Sequence, residues 1–80
     1  MDNYEFNLLS LKEKAQYTWQ HGTYLACRKE SHFVINLYLV DKFFVEVFYN
    51  PEELRINKIR SFKSNKCLEP YLDRIDLGFV

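Results

Sequence analysis

The most constraining feature of this chain is its central stretch, residues 33–49, which reads FVINLYLVDKFFVEVFY. Eleven of these seventeen residues are β-branched or aromatic, and both classes favour strands. Asp41 and Lys42 are the one break in the pattern. The stretch therefore predicts two strands, 33–40 and 43–49, joined by a tight turn.

A helix is predicted before this hairpin, between Ser10 and Gly22. Ser10 and Glu13 have the spacing of a capping box, in which each side chain accepts a hydrogen bond from a backbone N–H at the start of a helix. Gly22 is typical of a helix end because glycine tolerates a positive φ. Three- and four-residue spacing predicts the helix face that packs on the sheet: Leu11, Ala15, Thr18 and Trp19.

Two further strands are predicted on either side of the hairpin. Residues 23–29 predict a first strand, and the Asn50-Pro51 pair predicts a type I turn into a fourth strand at 54–62. Ile59 breaks the alternation of the fourth strand, which indicates a bulge near Asn57.

A last helix is predicted from about Cys67 to about Asp76, with Pro70 in its first turn. Its buried stripe is predicted by i, i+3, i+4, i+7 spacing: Leu68, Tyr71, Leu72 and Ile75. The elements together predict one α+β domain over residues 1–80. We expect a four-stranded antiparallel meander with an N-terminal and a C-terminal helix on one face, in the order α-β-β-β-β-α.

The charge balance and the cysteines limit the class of protein. Lys+Arg and Asp+Glu each number 11, so the formal net charge is zero and no global field attracts nucleic acid or anionic membranes. Cys27 and Cys67 are too few for a disulfide framework, and we expect two reduced, mostly buried thiols. The chain shows no basic, apolar leader and no membrane-length apolar run, so we expect a cytoplasmic protein without membrane association.

No motif for catalysis, cofactor binding or metal coordination is present in the sequence. Cys27 and His32 could meet across a turn, but no third group orients them and their spacing is not that of a metal finger. His21 lies where an imidazole caps a helix end. For Glu46, strand alternation predicts a solvent-facing side chain rather than a buried carboxylate with a raised pKa. We favour a protein that is not an enzyme, and the alternative is a small-molecule binder or an enzyme with an aromatic-lined site.

A basic run lies at residues 58–66, without an acidic residue inside it. Basic side chains can neutralise phosphates and an aromatic ring can stack on a base, which makes nucleic-acid binding a hypothesis for five residues: Lys58, Arg60, Phe62, Lys63 and Lys66. We favour the alternative that the run is a charged edge strand that discourages sheet pairing, because acidic residues flank it.

The central hairpin also predicts an apolar surface. If Phe43 and Val47 turn inward with Leu37 on the partner strand, the outward set is Val34, Tyr38, Val40, Phe44 and Phe48. This scheme needs a bulge or an odd-length loop, because a two-residue turn mixes the two sets, and the sequence leaves the register open. Exposed apolar patches mark partner sites, so we expect a homodimer through this face, or another protein bound there. The alternative is that the N-terminal segment or a helix covers it.

Three segments carry a resemblance: FFVEVFYNPEE at 43–53, IRSFKS at 59–64 and LEPYL at 68–72. Together they resemble short uncharacterised bacterial proteins with a single α+β domain. The resemblance implies a bacterial, cytosolic protein, and it implies no activity, cofactor or catalytic residue. The first functional hypothesis is therefore a small non-enzymatic interaction module. The second is a nucleic-acid-associated protein, and the third is a small-molecule binder or an enzyme.

Overall fold

A computed structural model describes residues 1–71 of the chain. Four strands form one antiparallel sheet in the order β1-β2-β3-β4, which confirms the predicted α+β meander. The elements are α1 (Asn3–Asn7), α2 (Leu11–His21), β1 (Gly22–Glu30), β2 (Phe33–Val40), β3 (Phe43–Asn50), β4 (Arg55–Phe62) and a 3-10 helix (Asn65–Tyr71).

Two capping boxes start the two N-terminal helices. The predicted box at Ser10 and Glu13 is present, and a second one, which the sequence reading missed, joins Asp2 and Glu5 ahead of α1. Each box satisfies backbone N–H groups that the first helical turn leaves unpaired. The box at Asp2 and Glu5 favours a helix in the short apolar segment at the N-terminus.

Gly22 follows α2, as predicted, but for a different reason. Its φ is −87°, an extended value that any residue adopts. A Cβ atom at this position would lie 2.5 Å from the carbonyl oxygen of Thr18. Glycine is therefore required because helix α2 passes directly into β1, and the backbones approach closely there.

The turn at Asp41 and Lys42 settles the register of the central hairpin. Val40 pairs with Phe43, so the loop has two residues, and Asp41 has a φ of 52°, a region that aspartate enters more readily than most residues. Leu37 pairs with Glu46 across the strands. Directly paired residues share a face of the sheet, so Glu46 lies on the same face as Leu37. The predicted hairpin with an odd-length loop or a bulge is therefore wrong. Relative to β2, the inward and outward side chains predicted for β3 are interchanged.

The turn between β3 and β4 and the predicted bulge in β4 are both present. Asn50 Oδ1 accepts hydrogen bonds from the backbone N–H groups of Glu52 and Glu53, at 3.0 and 3.3 Å. The register then shifts between Phe48 and Tyr49, so that Asn57 has no partner on β3. The bulge lies where Ile59 breaks the alternation, as predicted.

The sheet is covered on both faces by different segments. On the helix-side face, Phe6 and the partly buried Tyr17 pack over Phe43, Val45 and Ile59. On the opposite face, which we call the cleft-side face, Leu68 and Tyr71 of the 3-10 helix pack over Ala26, Leu37 and Phe62. The N-terminal helices and the 3-10 helix therefore lie on opposite faces and not on one face as predicted, because alternate residues of β2 and β3 direct apolar side chains to both sides.

The predicted last helix is a 3-10 helix as far as the structure describes it. It begins at Asn65, two residues before the predicted start, and Pro70 lies near its end. Leu68 and Tyr71 are buried as predicted, whereas Leu72 and Ile75 lie outside the described residues.

Leu11, Trp19 and Cys27 are more exposed than the sequence predicts. In α2, Thr18 is fully buried, but Leu11 is 43% exposed and Trp19 52% exposed. Tyr17 takes part in the core instead, and its hydroxyl donates a 2.6 Å hydrogen bond to Asp41. Cys27 is exposed rather than buried. Within residues 1–71, no helix has the length and apolar character needed to cross a membrane.

Candidate functional site

Glu46 lies at the centre of the cleft-side face and is buried, with 1% of its side chain exposed. The prediction that it faces solvent is wrong. Its Oε1 forms a 2.6 Å ion pair with Arg60 Nε, and Oε2 accepts hydrogen bonds from Arg28 Nη2 at 3.2 Å and from the Tyr71 hydroxyl at 2.5 Å. Both carboxylate oxygens are therefore engaged, as a buried charge requires.

Three different elements bring these groups together. Arg60 is the direct cross-strand neighbour of Glu46 on β4, and Arg28 reaches it from β1 across β2. Tyr71 comes from the 3-10 helix, and the guanidinium of Arg28 lies 5.4 Å from the centre of the Tyr71 ring. The Glu46 carboxylate thus connects strands β1, β3 and β4 of the sheet to the 3-10 helix that covers this face.

Arg28 also pairs with Glu30, two residues further along the same strand. Burial acts to lower the pKa of Arg28, but its interactions with Glu30, Tyr71 and Glu46 outweigh burial and raise that pKa. The same hydrogen bond from Arg28 lowers the pKa of Glu30. Arg28 therefore stays charged at any physiological pH, and its Nε atom is buried without a hydrogen-bond partner in the described part of the chain.

Tyr71 is held in its neutral form. Burial, followed by the hydrogen bond to Glu46, raises the pKa of its hydroxyl well above the usual range. The hydroxyl remains a hydrogen-bond donor to the carboxylate throughout the neutral range.

A cleft of about 620 Å³ opens beside this cluster, and we call it the charged cleft. Its volume is within the range of small-molecule sites. Four cations line it: Arg28, Lys58, Arg60 and Lys66. Three carboxylates line it as well: Glu30, Glu46 and Glu69. Phe48 and Cys67 contribute less polar surface, so the cleft has an excess of one positive charge over a partly aromatic wall.

The five residues predicted as a nucleic-acid site do not lie on one surface of the folded protein. Lys58, Arg60 and Lys66 reach the charged cleft, whereas Lys63 does not line it. Phe62 is only 8% exposed and stacks on Phe44, with ring centres 5.5 Å apart. Its ring packs in the core and offers no face to a base.

The predicted interaction face does not form one surface. Val34, Tyr38 and Val40 belong to the helix-side face, whereas Phe44 and Phe48 belong to the cleft-side face. Val40 is fully buried and Phe48 is 9% exposed. The grouping fails because it depended on the register that the two-residue turn overturns.

Tyr38 nevertheless belongs to an exposed group of rings on the helix-side face, which we call the aromatic patch: Trp19, Tyr24 and Tyr38. The Trp19 and Tyr38 ring centres are 5.5 Å apart, and those of Tyr24 and Tyr38 are 5.7 Å apart in an edge-to-face arrangement. Trp19 is 52% and Tyr24 54% exposed. The patch lies where α2 meets the first two strands.

The surroundings of the patch keep its tyrosines neutral. Interaction with the Cys27 thiol, and then partial burial, raises the pKa of Tyr24, and burial raises the pKa of Tyr38. Both rings therefore present neutral hydroxyl groups beside an apolar indole, the combination that protein interfaces favour.

The remaining candidates do not assemble into a chemical site. Cys27 and His32 are both exposed, and the His21 ring packs on Tyr17 with ring centres 4.3 Å apart. Among residues 1–71, no three His, Cys, Asp or Glu side chains are grouped so that they could hold a metal ion.

Two features of the sequence could have indicated the charged cluster. Phe44 and Phe48, two positions to either side of Glu46, are large and apolar, which is unusual for a solvent face. The predicted turn at Asn50 and Pro51 also joins β3 to β4, which makes Arg60 a residue of the strand next to Glu46. Tyr71 could not be found in this way, because its contact depends on the path of the 3-10 helix.

Comparison with protein-family models, with curated proteins and with solved structures finds no match to this chain.

Proposed function

We propose that this chain is a small protein-interaction module that pairs with a second copy of itself through the aromatic patch. The observation that carries this proposal is the exposure of Trp19 and Tyr24, each more than half accessible, around Tyr38. Trp and Tyr are enriched among the residues that dominate binding energy, since they bury a large area with few rotatable bonds. A small protein has little reason to expose three such rings in contact.

The neighbouring edge of the sheet favours a second copy as the partner. β1 is the first strand of the sheet and carries Tyr24, so its outer edge has no strand beside it within the described residues. A two-fold axis at that edge would bring the same patch of each copy together, as closed dimers require. The zero net charge of the chain opposes this association very little.

Trp19 makes the proposal directly testable because it is the single tryptophan of the chain. As concentration rises into the hundreds of micromolar, light scattering should show the mass doubling. Trp19 emission should move to shorter wavelength over the same concentration range, because the indole leaves water. A constant monomer mass, or a mass change without an emission change, would show that the patch is not the contact.

A matched pair of variants distinguishes association through the aromatic patch from nonspecific association. Tyr24→Ser should weaken association by about tenfold or more, the effect of losing an interface hot spot. Leu54→Ser removes a side chain that is 77% exposed in the β3–β4 turn and should leave association unchanged. Equal effects of the two variants would count against the proposal.

A further inference from the structure

The charged cleft combines a satisfied carboxylate with unsatisfied cations. Glu46 accepts from Arg28, Arg60 and Tyr71 through its two oxygens, and its negative charge would repel an anionic ligand. Its role is to hold two guanidinium groups in place. Glu46 is therefore a positioning residue, and the groups available to contact a ligand are the cations.

Arg60 has most of its donors available. It meets Glu46 only through Nε, and no hydrogen bond or ion pair within residues 1–71 engages its two terminal nitrogen atoms. Its side chain is 43% exposed at the edge strand. A guanidinium fixed through Nε presents its terminal N–H groups as a rigid fork, the geometry that binds two oxygens of one anion.

Two lysines add positive charge beside Arg60. Lys66 lines the cleft from the 3-10 helix, and its ammonium has no ion pair in the described chain. Lys58 Nζ lies 4.6 Å from the centre of the Phe48 ring, so its charge is held over the aromatic wall.

We propose that the charged cleft binds a small phosphorylated ligand, with Arg60 as its principal contact and Lys58 and Lys66 as supporting cations. A phosphate group has enough oxygens and charge to use several converging donors at once, and the volume of the cleft leaves room for the body of a small ligand. Glu30 and Glu69 line the same cleft and would repel an extended polyanion. A small phosphate compound therefore fits better than a nucleic-acid strand. The inference does not depend on self-association through the aromatic patch.

The test is a titration of isotope-labelled protein with inorganic phosphate and with adenosine monophosphate, followed by amide chemical shifts. Sodium chloride at matched ionic strength is the control for simple screening. We expect saturable shifts centred on Arg28, Lys58, Arg60 and Lys66, with the mononucleotide binding at least as tightly as phosphate. Shifts no larger than those in chloride would overturn the proposal.

Variants on the exposed edge strand assign the contact. Arg60→Gln should weaken phosphate binding by about tenfold or more, the effect of losing a charge-assisted hydrogen-bond pair. Arg60→Lys keeps the charge but loses the fork, so it should also weaken binding. Arg55→Gln, at the other end of β4 where Arg55 pairs with Glu53, should bind like the parent protein. If Arg60→Gln binds as well as Arg55→Gln, the proposal is overturned.

Two further measurements cover misfolding of Arg60→Gln and binding of nucleic acid. If Arg60→Gln fails to fold, Lys66→Gln on the surface of the 3-10 helix should still weaken binding several-fold, and an unchanged affinity would contradict the proposal. A single-stranded oligonucleotide tests the other source of phosphate. Affinity that rises with oligonucleotide length above that of the mononucleotide would assign the cleft to nucleic acid and overturn the small-ligand inference.

Discussion

The helix-side face and the cleft-side face of one sheet are filled by opposite chemistry at neighbouring positions of β3. Val45 and Val47 pack under α1 and α2 in an apolar cluster with Phe6 and Phe43. Glu46, between the two valines, is buried on the other side among charged and aromatic groups. One strand therefore supplies a hydrophobic core and a polar cluster by simple alternation.

The two faces differ in how strictly they define the geometry of their side chains as well as in energy. Apolar packing stabilises in proportion to buried area and tolerates many arrangements. A buried carboxylate is tolerated only if its partners hold a defined geometry. Replacing one partner leaves a buried charge without compensation and destabilises the folded protein. Both faces should thus contribute to stability, and the cleft-side face in addition fixes the path of the 3-10 helix.

The largest expected effect is on the helix-side face. Phe43 is fully buried, and its ring centre lies 5.3 Å from that of Phe6. Phe43→Ala should lower the free energy of unfolding by about 4 kcal/mol, through lost burial and the cavity that remains. Urea denaturation measures this change, and Leu54→Ala, at an exposed position, is the control with little expected effect. A similar loss for both variants would mean that Phe43 is not a core residue.

A somewhat smaller loss should come from the centre of the cleft-side face. Glu46→Gln keeps the volume of the side chain but leaves Arg28 and Arg60 without their shared counter-charge. The free energy of unfolding should fall by about 3 kcal/mol by the same denaturation measurement. Glu30→Gln removes the exposed partner of Arg28 and should change stability much less. If the two variants cannot be distinguished, the buried cluster does not differ from a surface ion pair.

The smallest expected effect concerns Tyr71 and has a pH signature. Tyr71→Phe removes a hydrogen bond to a carboxylate and should cost about 2 kcal/mol at neutral pH. The pKa of Tyr71 is raised in the folded protein, so its contribution is complete below the unfolded pKa of about 10 and is lost as pH rises above it.

Stability of the parent protein should therefore fall above about pH 10, and Tyr71→Phe should fall less steeply. Thermal denaturation across alkaline pH provides the measurement. Tyr4→Phe, on a ring that is 72% exposed, is the matched control. Parallel pH profiles for the parent and Tyr71→Phe would mean that the loss of stability at alkaline pH does not come from ionisation of Tyr71. The hydrogen bond between Tyr71 and Glu46 would then not distinguish the cleft-side face.

Local sequence signals located the elements of the fold well. The box at Ser10 and Glu13 began α2 correctly, the apolar pattern bounded β2, and the broken alternation at Ile59 indicated the bulge in β4. These features are decided by residues within a few positions of one another. Their physical causes are backbone hydrogen bonding and strand alternation, both of which can be recognised in the sequence itself.

The assignment of side chains to faces was decided only by the tertiary structure. The two-residue turn at Asp41 and Lys42 moved Phe44 and Phe48 away from Tyr38, and the 3-10 helix brought Tyr71 onto Glu46. Trp19 became exposed because α2 turned Tyr17 into the core. A shift of one residue in pairing reverses every face, and a buried charge depends on partners from distant strands. The sequence by itself therefore determined that residues 33–49 form the central hairpin, while the pairing of distant segments decided what each side of that hairpin carries.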